Sequence, residues 1–249
     1  MTIKAEIKPK AKSSAHFVLQ GKGGVGKSLI AAFLAQYLKE KGQDVKCVDT
    51  DPVNQTFLNY KALNAQHLKL LDGSRVNERN FDALYTRLFT EDGTLVIDNG
   101  ASTFIPLSNY IVENNVISGM RDDHRELFIH CVVTGGQALV DTLSGFIALA
   151  NQTQSKNIVV WVNDYFGSVE RDGKQFTEMK AFIESQDKVL GIVRLSRRNP
   201  DTFGKDLEEM ISRKLTFAEA MSGPQFDLAA INRLKLIQKD LYNQLDQIF

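Results

Sequence analysis

The chain has 249 residues, of which 43% are hydrophobic, enough for one large α/β domain with a sizeable core. Its 30 basic and 30 acidic residues give a formal net charge of zero, which excludes attraction of nucleic acid or anionic membrane by overall charge. No apolar run is long enough to span a membrane. Cys47 and Cys131 lie within apolar runs, where packing is their expected role. We expect a cytoplasmic protein.

Apolar runs bounded by turn residues alternate with amphipathic segments along the chain. The predicted strands are 16–19, 45–49, 67–71, 95–98, 127–134, 158–163 and 189–195. The predicted helices are 27–41, 80–89, 104–114, 137–151, 173–185, 200–214 and 227–249. Most strands lack polar alternation, which is typical of strands covered on both faces. The pattern predicts an α/β fold, a doubly wound, mainly parallel sheet of about seven strands flanked by helices. Residues 1–14 are predicted to be a flexible polar leader and 15–249 a single domain.

Residues 21–28 read GKGGVGKS, directly after the first predicted strand and before the first predicted helix. This stretch fits G-x-x-x-x-G-K-[ST], the phosphate-binding loop pattern of nucleotide triphosphatases. Glycines let successive backbone N–H groups point at one centre, and the following helix adds its positive dipole end. Lys27 is then expected to reach the β- and γ-phosphates and the Ser28 hydroxyl to bind Mg²⁺.

The same letters contain G-x-G-x-x-G at Gly21, Gly23 and Gly26, the dinucleotide-binding fingerprint, with acidic residues further on at Asp49 and Asp51. The pair Lys27-Ser28 favours a triphosphate with Mg²⁺, because a dinucleotide loop needs neither an ammonium group nor a metal-binding hydroxyl at that turn. A glycine-rich turn without a ligand is the third interpretation.

Two predicted strands end in carboxylates on the side of the sheet where the phosphates would lie. The run 45–49 ends at Asp49 and is followed by Asp51, two residues that share a face in an extended chain. They suit holding Mg²⁺ through water, fixing the phosphate loop or orienting an attacking water, although Asp-x-Asp-Pro is also ordinary turn chemistry. Asp98 ends the run 95–98 and suits a Walker B aspartate, with a turn-forming aspartate before Asn99 as the alternative.

These motifs together resemble a known family. Residues 22–28 look like the deviant Walker A motif of the ParA/MinD partition and division-site ATPases, which is marked by a second lysine, here Lys22. The stretch 49–55 is similar to the family segment D-x-D-P-Q, and Asp98 stands at the Walker B position. Within the family the chain resembles the TraL-type ATPases of conjugation systems.

The resemblance implies an ATP-sandwiched homodimer that hydrolysis loosens. Lys22 would reach the partner chain's nucleotide, Lys27 would bind phosphate in its own chain, and Asp51 would position the hydrolytic water. Ser28, Asp49 and Asp98 would hold or support Mg²⁺. The residues implied to contact ATP or ADP are Gly23, Gly24, Val25, Gly26, Lys27, Ser28, Leu29 and Asn163. For Asn163, which would read the adenine edge, a strand-end turn is the alternative.

The chain departs from the family pattern at two places. Residues 99–102 read NGAS where relatives carry a proline-rich switch segment, and Val53-Asn54 stand before Gln55. Arg194, Arg197 and Arg198 echo the DNA-contacting surface of partition ATPases, but a solvated loop is the favoured interpretation, so binding of bulk DNA is not expected.

The last predicted helix has an apolar stripe with balanced charges, so packing against the sheet is favoured over docking on a partner or gripping a membrane. We expect a Mg²⁺-dependent, slowly hydrolysing switch ATPase that serves a plasmid transfer or partition machine. Any peripheral position at a membrane complex is expected to depend on a protein partner. The alternatives are a small-molecule ligase or kinase on the same scaffold, similar to dethiobiotin synthetase, and a nucleotide-binding scaffold that does not hydrolyse.

Overall fold

The computed structural model describes residues 13–72 and 75–249. Seven strands form one parallel sheet, in the order β7-β6-β5-β1-β4-β2-β3. The strands are β1 (Ser14–Leu19), β2 (Val45–Asp49), β3 (Gln66–His67), β4 (Thr94–Asp98), β5 (Glu126–Thr134), β6 (Ile158–Asn163) and β7 (Val189–Leu195). The predicted doubly wound α/β fold is confirmed.

Nine α-helices of the described chain cover both faces of the sheet. They are α1 (Lys27–Glu40), α2 (Phe81–Thr90), α3 (Phe104–Glu113), α4 (Val116–Asp122), α5 (Leu139–Gln152), α6 (Lys180–Ile183), α7 (Lys205–Ser212), α8 (Phe217–Ser222) and α9 (Leu228–Leu245). Helices α2 to α6 pack on the face that Phe17 and Ile97 present, and α1 and α7 to α9 pack on the face of Val18 and Val96. Burial on both faces explains the unbroken apolar runs.

The strand order places β1 between β4 and β5. The chain leaves β1 for β2 on one side of the sheet, returns to β4, and then continues through β5, β6 and β7 on the other side. Strand β1 therefore lies where the order reverses, and ligands of open parallel sheets bind at this position, at the carboxyl ends of the strands. Residues 21–28 follow β1 at that point.

Several predicted boundaries were wrong. The predicted strand 67–71 is only the short β3, followed by the two-stranded ribbon of Leu71–Asp72 and Arg75–Val76. The predicted helix 173–185 begins instead with a hairpin of Glu170–Arg171 and Lys174–Gln175. Asp172 and Gly173 have φ of 53° and 72°, and this pair of left-handed residues closes a two-residue hairpin rather than starting a helix. A 3-10 turn over Phe176–Glu178 and the short α6 are the helical parts of that predicted helix.

The predicted N-terminal boundary and two of the predicted helical regions also need correction. Ser13 is buried and Ser14 begins β1, so the folded part starts before the predicted leader boundary at residue 14, and residues 1–12 lie outside the described residues. Helices α4 and α8 were not predicted. The predicted helix 200–214 begins with a π-type turn over Pro200–Gly204, capped by the side chain of Asn199, before α7. The single-domain prediction stays a prediction.

Helix α9 packs against the sheet, as favoured from its apolar stripe. Leu234, Leu241 and Leu245 are at most 3% exposed, and the Asp227 side chain caps the helix by accepting from the Ala230 N–H. Cys47 and Cys131 are buried in β2 and β5. Over residues 13–72 and 75–249, no helix has the length and apolar character needed to cross a membrane.

Candidate nucleotide-binding site

The loop of residues 21–28 is exposed at its tip and anchored at its base. Gly24 and Gly26 have φ of 74° and 102°, left-handed values that only glycine adopts without strain, and Gly26 caps the start of α1. Apart from the adjoining residues, no atom of the described part of the chain lies within 4 Å of where a Cβ of Gly23 or Gly24 would stand, so the space over these residues is open. Val25 is 2% exposed and packs into the core. The sequence thus forms an open backbone cradle in front of a helix N-terminus.

Lys27 lies inside this cradle. Its side chain is largely buried, and its ammonium group donates a hydrogen bond of 3.0 Å to the Lys22 carbonyl across the loop. Burial lowers the pKa of Lys27, while the nearby carboxylates of Asp98 and Asp51 raise it. The positive group is therefore held across the loop by the Lys22 carbonyl, with two acidic residues close enough to raise its pKa.

Asp98 ends β4 beside β1 and β2, in register with Val18 and Asp49. It is 1% exposed, and neither of its carboxylate oxygens has a hydrogen-bond partner of ordinary geometry in the described chain, although the nearby Ser28 hydroxyl lowers its pKa. Burial, reinforced by Asp49 and Asp51, raises the pKa of Asp98 to about 7. A buried carboxylate without partners is costly unless a cation or donor is bound there.

Asp49, predicted to support Mg²⁺, and Asp51, predicted to position the hydrolytic water, organise the loop that follows β2. Asp49 is fully buried and accepts from the N–H groups of Asp51, Phe57 and Leu58, and burial raises its pKa. One oxygen of Asp51, Oδ1, accepts from the N–H groups of Val53 and Asn54 at 2.9 and 3.1 Å. Asp49 is therefore engaged by backbone donors, whereas Asp51 is partly exposed and close enough to Lys27 to raise the pKa of that lysine.

Lys22, predicted to act across a dimer interface, forms an ion pair within its own chain. Its Nζ lies 2.7 Å from Oδ2 of Asp141 in the first turn of α5, and both side chains are about half exposed. An exposed pair of this kind contributes little to stability, roughly 0–1 kcal/mol. Lys22 can therefore exchange this partner for another anion at small cost.

Asn163 ends β6 and reaches the phosphate loop. Its side-chain Nδ2 donates to the Val25 carbonyl at 3.0 Å, and its Oδ1 accepts from the Tyr165 N–H at 3.1 Å. Both ends of the amide are thus used within the chain. This geometry fits the strand-end turn and also anchors the phosphate loop through the bond to Val25. Recognition of adenine would require the amide to break that bond.

The predicted site residues converge on one edge of the sheet. Those in or next to the cradle are Lys22, Gly23, Gly24, Val25, Gly26, Lys27, Ser28, Leu29, Asp49, Asp51, Asp98 and Asn163. Within the described residues, no three His, Cys, Asp or Glu side chains are grouped to hold a metal ion. Magnesium sites of phosphate loops use few protein ligands, the rest being water and phosphate, so a Ser28–Asp98 pair fits this ion.

Three residues at the site were missed in the sequence. Gln20 donates and accepts behind the loop, Asp141 pairs with Lys22, and Gly100 lies so close to Asp51 that a Cβ would stand 2.8 Å from its Oδ1. The polar Gln20 at the end of an apolar run was a usable signal. Nothing local marked Asp141 or Gly100, because their contacts join elements distant in sequence.

The basic residues near the carboxyl edge make ion pairs in their own chain. Arg194 donates to both carboxylate oxygens of Asp164 at 2.7 and 3.2 Å, and Arg198 pairs with Asp240. Arg197 is exposed. Because two of the three charges are matched locally, this stretch does not form a free basic patch, in line with the favoured interpretation of a solvated loop.

Residues 16–208 match the family described as the CobQ/CobB/MinD/ParA nucleotide binding domain. The chain belongs to this family of nucleotide-binding proteins, as the resemblance had implied.

Two proteins named TraL from Escherichia coli are similar to this chain over most of its length. They are 47% and 46% identical to it over 232 residues, which are 93% of this chain and 96% of each relative. The predicted similarity to TraL-type proteins is confirmed.

Solved structures agree on the fold. The MinD cell division protein of Aquifex aeolicus has a TM-score of 0.52 at 14% identity and covers 95% of this chain and 97% of its own. A putative plasmid partition protein of Borrelia burgdorferi B31, bound to AMPPNP, has a TM-score of 0.53 at 18% identity, covering 95% of this chain and all of its own.

Proposed function

We propose that this protein is a Mg²⁺-dependent ATPase that acts as a dimerising switch for a plasmid transfer or partition machine. The observation that carries the proposal is the buried carboxylate of Asp98 at the open glycine cradle. Among the described residues it has no hydrogen-bond partner of ordinary geometry, and it lies close to Lys27 and Ser28. Such a carboxylate is explained if the site is completed by a magnesium nucleotide.

Each residue has a task in this proposal. The backbone N–H groups of residues 23–29 bind phosphate oxygens at the start of α1, and Lys27 adds a positive charge there. Ser28 and Asp98 would hold Mg²⁺, which supplies charge neutralisation for the phosphates. Asp49 keeps the loop after β2 in place through its three backbone bonds. Asp51 orients the attacking water through the oxygen that is not bonded to Val53 and Asn54.

The switch part of the proposal rests on Lys22. Its ion pair with Asp141 is exposed and weak, so the ammonium group is able to move to the nucleotide of a second copy when ATP is bound. Loss of the γ-phosphate would remove its target and loosen the dimer. The relation to TraL supports a role in conjugative transfer, with ATP turnover controlled by a protein partner. A cytoplasmic location is part of this proposal.

Isothermal titration calorimetry with ADP or ATP and Mg²⁺ tests the central claim. We expect the parent chain to bind and Lys27→Ala to lose binding by at least about a hundredfold, since a charge-assisted contact is worth a few kcal/mol. Lys46→Ala, a lysine in β2 that pairs with Glu91 instead, is the matched control and should bind as the parent does. A folded parent chain that takes up neither nucleotide would overturn the proposal.

A further inference from the structure

Gln20 connects the phosphate loop to two other elements. It is fully buried between β1 and the loop. Its Nε2 donates to the carbonyls of Val132 in β5 and Thr142 in α5, at 2.7 and 3.1 Å. Its Oε1 accepts from the N–H of Gly21, the first residue of the loop, at 2.8 Å. One side chain thus bonds to the loop, the central sheet and α5.

The orientation of this amide follows from its neighbours. Two carbonyl oxygens can only accept, so they require the NH₂ group, and the Gly21 N–H can only donate, so it requires the oxygen. Both N–H donors of the amide and one acceptor direction of its oxygen are used. A side chain in this position resists displacement, because any movement leaves buried donors or acceptors unpaired.

Helix α5 leaves a gap for this side chain at Gly145. A Cβ at Gly145 would stand 2.0 Å from Gln20 Oε1 and 2.8 Å from its Cδ. Glycine inside a helix is unfavourable compared with alanine, so its presence here has a packing reason. Gln20 and Gly145 therefore fit each other as a pair.

The helix that Gln20 contacts also holds Lys22. Thr142, whose carbonyl accepts from Gln20, directly follows Asp141, the ion-pair partner of Lys22. We propose that Gln20, seated in the gap at Gly145, is a positioning residue that couples the start of α5 to the mouth of the phosphate loop. A shift of α5 when Lys22 leaves Asp141 would then move Gly21, and nucleotide in the loop would in turn favour one position of α5.

This inference rests on the proposed nucleotide binding, and its test separates the two. The variants are Gly145→Ala, Gln20→Ala and the double variant, with Ser144→Ala on the exposed side of α5 as the control. Binding of Mg²⁺–ADP is measured by calorimetry, and thermal unfolding confirms that each variant is folded at the assay temperature. Hydrogen exchange at Gly21 and in α5, without nucleotide, is the second readout.

We expect Gly145→Ala to displace the Gln20 amide and weaken ADP binding on the order of tenfold. This is the effect expected from losing about one hydrogen bond that positions the loop. Ser144→Ala should bind as the parent does. The double variant should bind no worse than Gln20→Ala alone, because the new methyl group fills the space that the amide has left. Exchange at Gly21 should quicken in Gly145→Ala and in Gln20→Ala to the same extent.

Two results would overturn the coupling. One is unchanged ADP affinity and unchanged Gly21 exchange in Gly145→Ala. The other is a double variant whose losses multiply, which would show two independent structural defects. If the parent chain fails to bind ADP, the proposed function fails, and the hydrogen-exchange comparison still decides the coupling. If Gly145→Ala does not fold, recovery of folding in the double variant supports the fit of the pair, and its absence contradicts it.

Discussion

Lys22 and Asp141 form an ion pair within one chain, with 2.7 Å between Nζ and Oδ2. The pair joins the phosphate loop to α5 and is about half exposed at both ends. It therefore holds Lys22 in place in a single chain, and breaking it costs little free energy. This arrangement gives the first prediction.

Asp141→Asn should make ATP-dependent dimerisation easier, because Lys22 no longer has a competing anion in its own chain. We expect a dimer at a several-fold lower protein concentration, with a change in the free energy of unfolding below about 1 kcal/mol. Sedimentation with ATP and Mg²⁺ measures the first and urea unfolding the second. Asp187→Asn, which removes the exposed partner of Lys188, is the control. Dimerisation unchanged from the parent would contradict a restraining role for Asp141.

Asp98→Asn should stabilise the nucleotide-free chain at alkaline pH. Burial raises the folded-state pKa of Asp98 from 3.8 to about 7, so the folded state binds an extra proton between these values and loses stability as pH rises through this window. The neutral amide avoids this loss, which is at most about 4 kcal/mol for a shift of this size. Urea unfolding at pH 5 and pH 8 should show that the variant has a higher free energy of unfolding than the parent, with a larger difference at pH 8.

The same substitution should weaken Mg²⁺–nucleotide binding, because an amide is a poorer ligand for Mg²⁺ than a carboxylate. In the parent chain, this affinity should fall as pH drops below about 7, since the proton competes with the cation for Asp98. Calorimetry over this range tests both points. A parent affinity for Mg²⁺–ADP that does not vary with pH would count against Asp98 as a metal ligand.

Asp51→Ala should bind ATP but hydrolyse it at least about a hundredfold more slowly, the usual loss when a group that positions or activates the attacking water is removed. The dimer formed with ATP and Mg²⁺ should then persist in size-exclusion chromatography. Gly100→Ala should show a weaker form of the same defect, because its methyl group would stand 2.8 Å from Asp51 Oδ1 and displace that carboxylate. Parental turnover in Asp51→Ala would remove the assigned role.

Asn163→Ala separates two roles of this residue. If the bond from Nδ2 to the Val25 carbonyl positions the loop, affinity for Mg²⁺–ADP and Mg²⁺–GDP should fall together, by about tenfold. If the amide reads the adenine edge, ADP binding should fall and GDP binding should not. The described geometry predicts the first outcome, and calorimetry with both nucleotides distinguishes them.

His16 and His130 form a buried chain whose tautomers follow from one donor. Trp161 Nε1 can only donate, and it donates to His130 Nδ1 at 2.9 Å, so His130 Nε2 donates to His16 Nδ1 at 3.0 Å. Burial lowers the pKa of His16 to about 3 and that of His130 well below its usual value. Both rings stay neutral in the folded state while the unfolded chain takes up protons below about pH 6.5.

The free energy of unfolding should therefore be highest above about pH 6.5 and fall as pH decreases below this value. The two histidines together should contribute up to about 2.7 kcal/mol per pH unit to this decline. A His16→Leu/His130→Leu variant should be less stable at pH 7.5 but show a shallower decline between pH 6.5 and 4.5. Urea unfolding over this range is the measurement. His124→Asn, at an exposed position with φ of 57°, is the control and should keep the parental slope. An unaltered slope in the double variant would contradict neutral buried histidines.

Local sequence patterns were sufficient for much of the fold. The predicted strands 45–49, 158–163 and 189–195 have the observed bounds, because uninterrupted apolar runs between turn residues mark strands buried on both faces. The phosphate loop was equally clear, since glycine, lysine and serine at fixed spacing are a local requirement of its geometry. The predicted strand 67–71 and the predicted helix 173–185 were wrong. In both segments, short turns interrupt a hydrophobic pattern that by itself suggests one regular element.

By itself, the sequence determined the class of fold, the loop that cradles phosphate and the acidic residues that end neighbouring strands. Only the tertiary structure decided that Asn163 holds Val25, that Asp141 holds Lys22 and that Gln20 fits the gap at Gly145. The physical reason is that periodicity and turn chemistry encode burial within a few residues of each position. Contacts between residues more than a hundred positions apart depend on the order of the strands in the sheet, which no local pattern specifies.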